Sequence, residues 1–172
     1  MTPAELFRLT RELVDVDSVT GRERQVAELL ERRLGDLAAR GGGTVERLAV
    51  DAERSNLFAA WGEPVVVLST HMDTVPPFIP SSEDTEHVHG RGACDAKGAI
   101  AAMLAAAGRL VDEGVRGFGV LLVVGEETDS AGAAAANRDP RGARYLIDGE
   151  PTENRLALGT KGNLYLAVEA DG

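Results

Sequence analysis

Two apolar runs that never alternate constrain this chain more than anything else in it: residues 64–70, PVVVLST, and residues 118–124, FGVLLVV. A strand with one face in water alternates apolar and polar residues, whereas a strand covered on both faces reads as an unbroken β-branched stretch. Both runs therefore read as central strands, and residues 145–147 as a shorter third. Between the first two lies an alanine-rich helical stretch, 96–113, whose small side chains let it approach a sheet closely. Buried strands alternating with helices predict an α/β fold: a three-layer α/β/α sandwich on a mixed, mainly parallel sheet with an antiparallel edge. The 172 residues suffice for one such core.

The flanks fit this plan. Thr2-Pro3 is a helix start, and Leu6, Leu9 and Leu13 share one face of the helix that follows. A second amphipathic helix spans 21–40, with Val26, Leu29, Leu30, Leu34 and Leu37 at helical spacing, and the glycines at 41–43 end it. Residues 44–50 and 56–60 read as two further strands. Residues 163–170 alternate like a half-buried strand and follow at once on the α/β pattern.

Net charge is −10, from 28 acidic against 18 basic residues, which excludes a nucleic-acid binder, because phosphate needs clustered Lys and Arg. No apolar stretch has the length that spans a membrane, and charges at Glu5, Arg8, Arg11 and Glu12 interrupt any leader-like region. Cys94 is the single cysteine, so a reducing, cytoplasmic setting is expected. It is expected to be a small buried packing residue.

Polar groups follow each central strand: His71 and Asp73 the first, Glu126 and Glu127 the second, Asp148 and Glu150 the third. Ligand sites in open α/β sheets lie beyond the carboxyl ends of the strands, so these groups should converge on one acidic pocket. Asp95, at the head of the alanine-rich helix, can reach the same place. Crowded carboxylates repel one another unless some take up protons or a cation joins them. One imidazole with several carboxylates suits zinc, or cobalt or manganese, and a shared carboxylate would make a two-metal hydrolytic centre.

The ordered motifs His71-Met72-Asp73-Thr74-Val75, the stretch from Gly90 to Gly98 (GRGACDAKG), Gly125-Glu126-Glu127 and Gly149-Glu150-Pro151-Thr152 resemble those of one zinc metallopeptidase and deacylase family. It includes acetylornithine deacetylase, succinyl-diaminopimelate desuccinylase, aminoacylase and glutamate carboxypeptidase. The resemblance implies a zinc-exopeptidase-like catalytic domain with two Zn2+ ions, Co2+ being an alternative. His71 and Glu150 would bind one ion, Glu127 the other, and Asp95 would bridge them. Asp73 would orient His71. Glu126 would be the general base for the metal-bridging water that attacks the amide of an N-acyl amino acid or small peptide. Glu150-Pro151-Thr152 and Thr160-Lys161-Gly162 are most similar to the acetylornithine deacetylase branch.

The resemblance also implies parts this sequence lacks: a smaller lid domain, often the homodimer contact, and a final histidine for the second ion. Residues 1–162 are therefore expected to be the N-terminal part of the catalytic domain, and 163–172 the first strand of the lid. The chain is expected to be truncated and weakly active or inactive alone. The alternative is a non-catalytic metal-binding remnant, or half of an assembly. His87 and His89 lie in a polar hairpin and are expected to have no catalytic role. Gly90-Arg91-Gly92 is not a phosphate loop, lacking the Gly-Lys-Ser/Thr ending.

Overall fold

Helix α1, Pro3–Val14, begins where the Thr2 hydroxyl accepts the Glu5 N–H and the Glu5 carboxylate accepts the Thr2 N–H in return, a capping box that satisfies free donors at the helix start. The structure, a computed structural model, describes residues 1–159 and 168–169. The strand expected at 163–170 and the boundary expected at 162 thus lie almost wholly outside the described residues. Helix α2, Arg24–Gly41, ends at Gly42, whose left-handed backbone (φ 60°) needs no Cβ. Strands β1, Thr44–Ala49, and β2, Ser55–Trp61, follow. Next come β3, Val66–His71, the short pair β4, Ser82–Glu83, and β5, Val88–His89, and then an irregularly wound turn, Ala93–Gly98. Helix α3, Ala99–Asp112, strand β6, Phe118–Val123, the short helix α4, Ala131–Ala136, and strand β7, Tyr145–Asp148, complete the described elements.

The main sheet has five strands in the order β1-β2-β6-β3-β7. β1 with β2 and β2 with β6 are antiparallel, whereas β3 with β6 and β3 with β7 are parallel. The sheet is mixed, as expected, and its three parallel strands form one half. In register, His71 lies beside Val123 and Ser69 beside Asp148, so the carboxyl ends of β3, β6 and β7 come out along one rim.

Alternation along β2 separates the two faces. Leu57, Ala59 and Trp61 join Leu13 of α1, Leu30 and Leu34 of α2 and Ile100 and Leu104 of α3 in the main core. Each fully buried leucine there contributes ~1.5–3 kcal/mol relative to leaving it in water. Phe58 and Ala60 point the other way and form a small cluster with Val67. On that second face α4 is held by Asn56, whose Nδ2 donates to the Gly132 carbonyl (2.8 Å) while its Oδ1 accepts the Val124 N–H (3.1 Å). A Cβ on Gly132 would sit 2.4 Å from the Val124 oxygen, so only glycine fits this junction.

The central runs behave as read: β6 and β3 are covered for most of their length. The third does not. All of β7 is exposed, with Tyr145, Leu146 and Ile147 at 54–62%. It is an edge strand supported only by β3 among the described residues. The alanine-rich segment also starts later than its composition suggests, because Asp95 and Ala96 have non-helical backbone angles. No helix among the described residues is long and apolar enough to cross a membrane.

Candidate metal centre

His71, the last residue of β3, is 1% exposed. Its Nδ1 lies 3.0 Å from the Asp73 carbonyl and 3.5 Å from Asp73 Oδ1, which turns Nε2 toward the rim, 2.8 Å from Asp95 Oδ1. Glu150 Oε1 stands 3.9 Å from the same Nε2. One donor atom each from His71, Asp95 and Glu127 lies within 4.8 Å of the others. Residues from β3, the turn before α3 and the loop after β6 therefore meet at one point. His71, Glu126 and Glu150 also line a shared concavity of ≈ 710 Å³, which continues over the second face of the sheet.

Asp73 is the hub behind this cluster. It is fully buried, and its carboxylate accepts the Thr20 hydroxyl (2.7 Å) and the backbone N–H groups of Glu126 (3.1 Å) and Glu127 (3.2 Å). Burial raises its pKa, but these hydrogen bonds and the one with His71 outweigh that and hold it below the usual value. Asp73 thus holds the ring of His71, through its carbonyl and its nearby carboxylate, and with the carboxylate the peptide carrying the paired glutamates. Gly125 (φ 72°) makes the turn between β6 and that pair.

The charges around the cluster are unbalanced. Burial pushes Glu150 up to about 7, against the pull of His71 and with the charges of Asp95, Asp148 and Glu126 adding to the rise. Glu127 is raised by burial and by Asp95. For His71, burial alone would lower the pKa, but the contacts with Asp73 and Asp95 and the charge of Glu150 push it up to about 10. Carboxylates held partly against ionisation around one imidazole are a donor set that a divalent cation fits, since it replaces the protons with positive charge.

The structure thus brings His71, Asp95 and Glu127 together, sets Asp73 behind them, and puts Glu126 and Glu150 at the same mouth. Asp148 is exposed. Cys94 is exposed too, contrary to the buried packing role expected of it, because the turn at Ala93–Gly98 directs it outward while Ala96 and Lys97 go inward. Three polar residues behind the site had no signal in the sequence. Thr20, half-buried, looks like any loop threonine. Glu23 is 1% exposed with neither carboxylate oxygen hydrogen-bonded. Lys97 is 1% exposed, donates to the Val16 carbonyl at 2.8 Å, and has its ammonium pulled down to about 8 by burial.

Comparison with known proteins gives a consistent picture. The sequence profile of "Peptidase family M20/M25/M40" matches residues 67–163. A peptidase M20 domain-containing protein of Schizosaccharomyces pombe is 39% identical over 97% of this chain and 43% of its own length. A probable carboxypeptidase of Aspergillus flavus is 34% identical over 94% of this chain, again 43% of its own length. A tripeptidase of Staphylococcus aureus superposes with TM-score 0.73 at 25% identity, covering 86% of this chain and 43% of the tripeptidase. The chain spans less than half the length of the curated relatives it matches.

Proposed function

The chain belongs to peptidase family M20/M25/M40, and from that premise we propose that it carries the metal centre of a hydrolase that cleaves the amide bond of small peptides or N-acyl amino acids. The convergence of His71, Asp95 and Glu127 beside Glu126 carries this reading. His71 and Glu150 would hold one ion, Glu127 a second, and Asp95 both. Zinc suits the mixture of imidazole and carboxylate, with cobalt as a substitute. Bound there, the ions supply a water of lowered pKa and a polarised amide carbonyl.

The remaining steps belong to side chains of this protein. Asp73 holds the His71 ring and fixes the Glu126-Glu127 peptide, so the base and a ligand are placed together. Glu126, exposed at the mouth, takes a proton from the attacking water as its oxygen bonds to the amide carbon. The C–N bond then breaks, and Glu126 returns the proton to the departing amine.

The names of the similar proteins, a probable carboxypeptidase and a tripeptidase, support a short peptide as substrate. The Glu150-Pro151-Thr152 motif supports an acetylornithine-like N-acyl amino acid instead. A cytoplasmic setting fits the single cysteine. The deciding assay offers di- and tripeptides and N-acetylornithine to the zinc-loaded chain and to Glu126→Gln. Turnover lost by about 10²–10⁴ in the variant, with zinc still bound, supports the hydrolase.

A second reading, a metal-binding half of an assembly without activity of its own, is favoured by the exposed apolar residues of β7. Bound zinc without turnover of any substrate in that panel supports it and overturns the first.

A further inference from the structure

The hairpin formed by β4 and β5 carries imidazoles that the metal centre does not use. His87 and His89 are two residues apart, so an extended backbone sends both side chains to the same face. Their rings are 5.9 Å apart and tilted by 36°. Asp84, on the facing arm, lies against both: His89 Nε2 is 3.0 Å from Oδ2, and His87 Nδ1 is 3.4 Å from Oδ1.

Asp84 does not drift. Its Oδ1 accepts the backbone N–H groups of Glu86 and His87, both at 2.8 Å, which fixes the carboxylate and leaves Oδ2 turned to His89. The base of the hairpin is tied to α1. Ser81 donates its N–H and hydroxyl to Asp15 at 2.7 and 2.9 Å, and Arg11 pairs with Glu83 at 2.9 Å. The tip is open to solvent: the two imidazole side chains are 65% and 57% exposed and the Asp84 side chain 52%.

We propose that Asp84, His87 and His89 form a second cation site, separate from the metal centre, for a divalent transition ion that prefers imidazole. Donor atoms around a tetrahedral zinc, each about 2.0–2.2 Å from it, stand about 3.3–3.5 Å from one another. His89 Nε2 is already near that spacing from Oδ2, whereas His87 Nδ1 lies beside Oδ1, the oxygen that also takes the two N–H groups, and has to turn to reach an ion held by Oδ2. The remaining adjustment is rotation of the two rings, both more than half exposed, toward each other. Two nitrogens and one oxygen select zinc, nickel or copper over calcium or magnesium, which take oxygen donors. Water completes the shell at this exposed position.

The site is tested by calorimetric titration with zinc chloride, compared with magnesium chloride. In the His71→Ala background, which removes the buried imidazole of the metal centre, one zinc per chain is expected to remain and magnesium to give no heat. Adding His87→Ala and His89→Ala should remove that zinc or weaken it by about tenfold or more, and Asp84→Asn should weaken it less. Zinc binding in the His71→Ala chain that is unchanged by both histidine substitutions, or absent altogether, overturns the proposal. Because His71→Ala can unfold the chain, the His87→Ala/His89→Ala pair is also made with His71 intact. A zinc count lower by one supports the site, and an unchanged count overturns it. Neither result depends on turnover, so failure here leaves the hydrolase reading standing.

Discussion

Asp73 Oδ2 accepts the Thr20 hydroxyl at 2.7 Å, a contact that joins the loop after α1 to the loop after β3. The same carboxylate carries the peptide of Glu126 and Glu127. Thr20→Val keeps the shape and removes the donor. A hydrogen bond to a charged group is worth ~1.5–3 kcal/mol, and a chain of this size loses about 2–4 °C per kcal/mol. Melting should fall accordingly, zinc affinity should fall with it, and Thr20→Ser should restore both. Unchanged zinc affinity in Thr20→Val would separate Thr20 from the metal centre.

At the proposed metal centre zinc and protons would compete for the same groups, which sets a pH dependence. In the zinc-free chain His71 is raised from 6.5 to about 10, so its contribution to stability is full below 6.5 and lost as pH rises through about 10. Glu150 is raised from 4.5 to about 7, so the zinc-free fold also loses stability as pH climbs through that interval. Zinc requires both groups deprotonated. The rise in melting temperature on adding zinc, read against a chelator control, should therefore grow from about pH 6 to about pH 8. A shift that shrinks over that range would place the zinc away from His71.

How far the sequence reached is clearest at the strands. β3 and β6 were legible because burial on both faces requires continuous apolar residues, and nothing else in the chain looks like them. The rim of acidic groups followed from their carboxyl ends. β7 was misjudged as buried because four residues are too few to separate a covered strand from an apolar edge. Glu23 and Lys97 were invisible for another reason: tertiary packing rather than a repeat sets their burial, which leaves no period to read. Thr20, half-buried, meets Asp73 across 53 positions of sequence, which no local pattern signals. Cys94 went wrong similarly, since one irregular turn decides which side chains face inward.

Gly132 is a sharp test of the second face. Gly132→Ala drives a methyl group to 2.4 Å from the Val124 oxygen and 2.6 Å from Asn56 Oδ1, so the Asn56 bridge must open or α4 must lift. Overpacking of this kind costs ~1–3 kcal/mol. Chemical denaturation should show the loss. A variant as stable as the parent would mean that α4 is free to move away from β6.

Glu23 offers a prediction of opposite sign. Burial holds its pKa above 4.5, with the charge of Asp73 adding to the rise, and Arg54 at 3.8 Å compensates only in part. A raised carboxyl costs stability as pH climbs above 4.5, and the cost is complete once the folded group has ionised. Glu23→Gln should therefore stabilise the chain increasingly as pH rises from 4.5 through the range in which the folded carboxyl ionises. Melting curves across that interval check it, and a variant destabilised throughout would show that ionised Glu23 is held by Arg54 after all.

Among the described residues the edge at β7 is open, which would give the proposed metal centre an unequal grip. His71, Asp95 and Glu127 hang from a buried strand, a turn packed beneath α3 and a loop pinned by Asp73, whereas Glu150 follows a strand exposed along its length. Edge strands with few buried contacts open locally at a small fraction of the global unfolding free energy. Each such excursion would carry Glu150 away and leave the other three in place, so the ion's residence time would be set at the sheet's outer edge. Whatever docks on Tyr145, Leu146 and Ile147 would act as a latch on the ion without touching it.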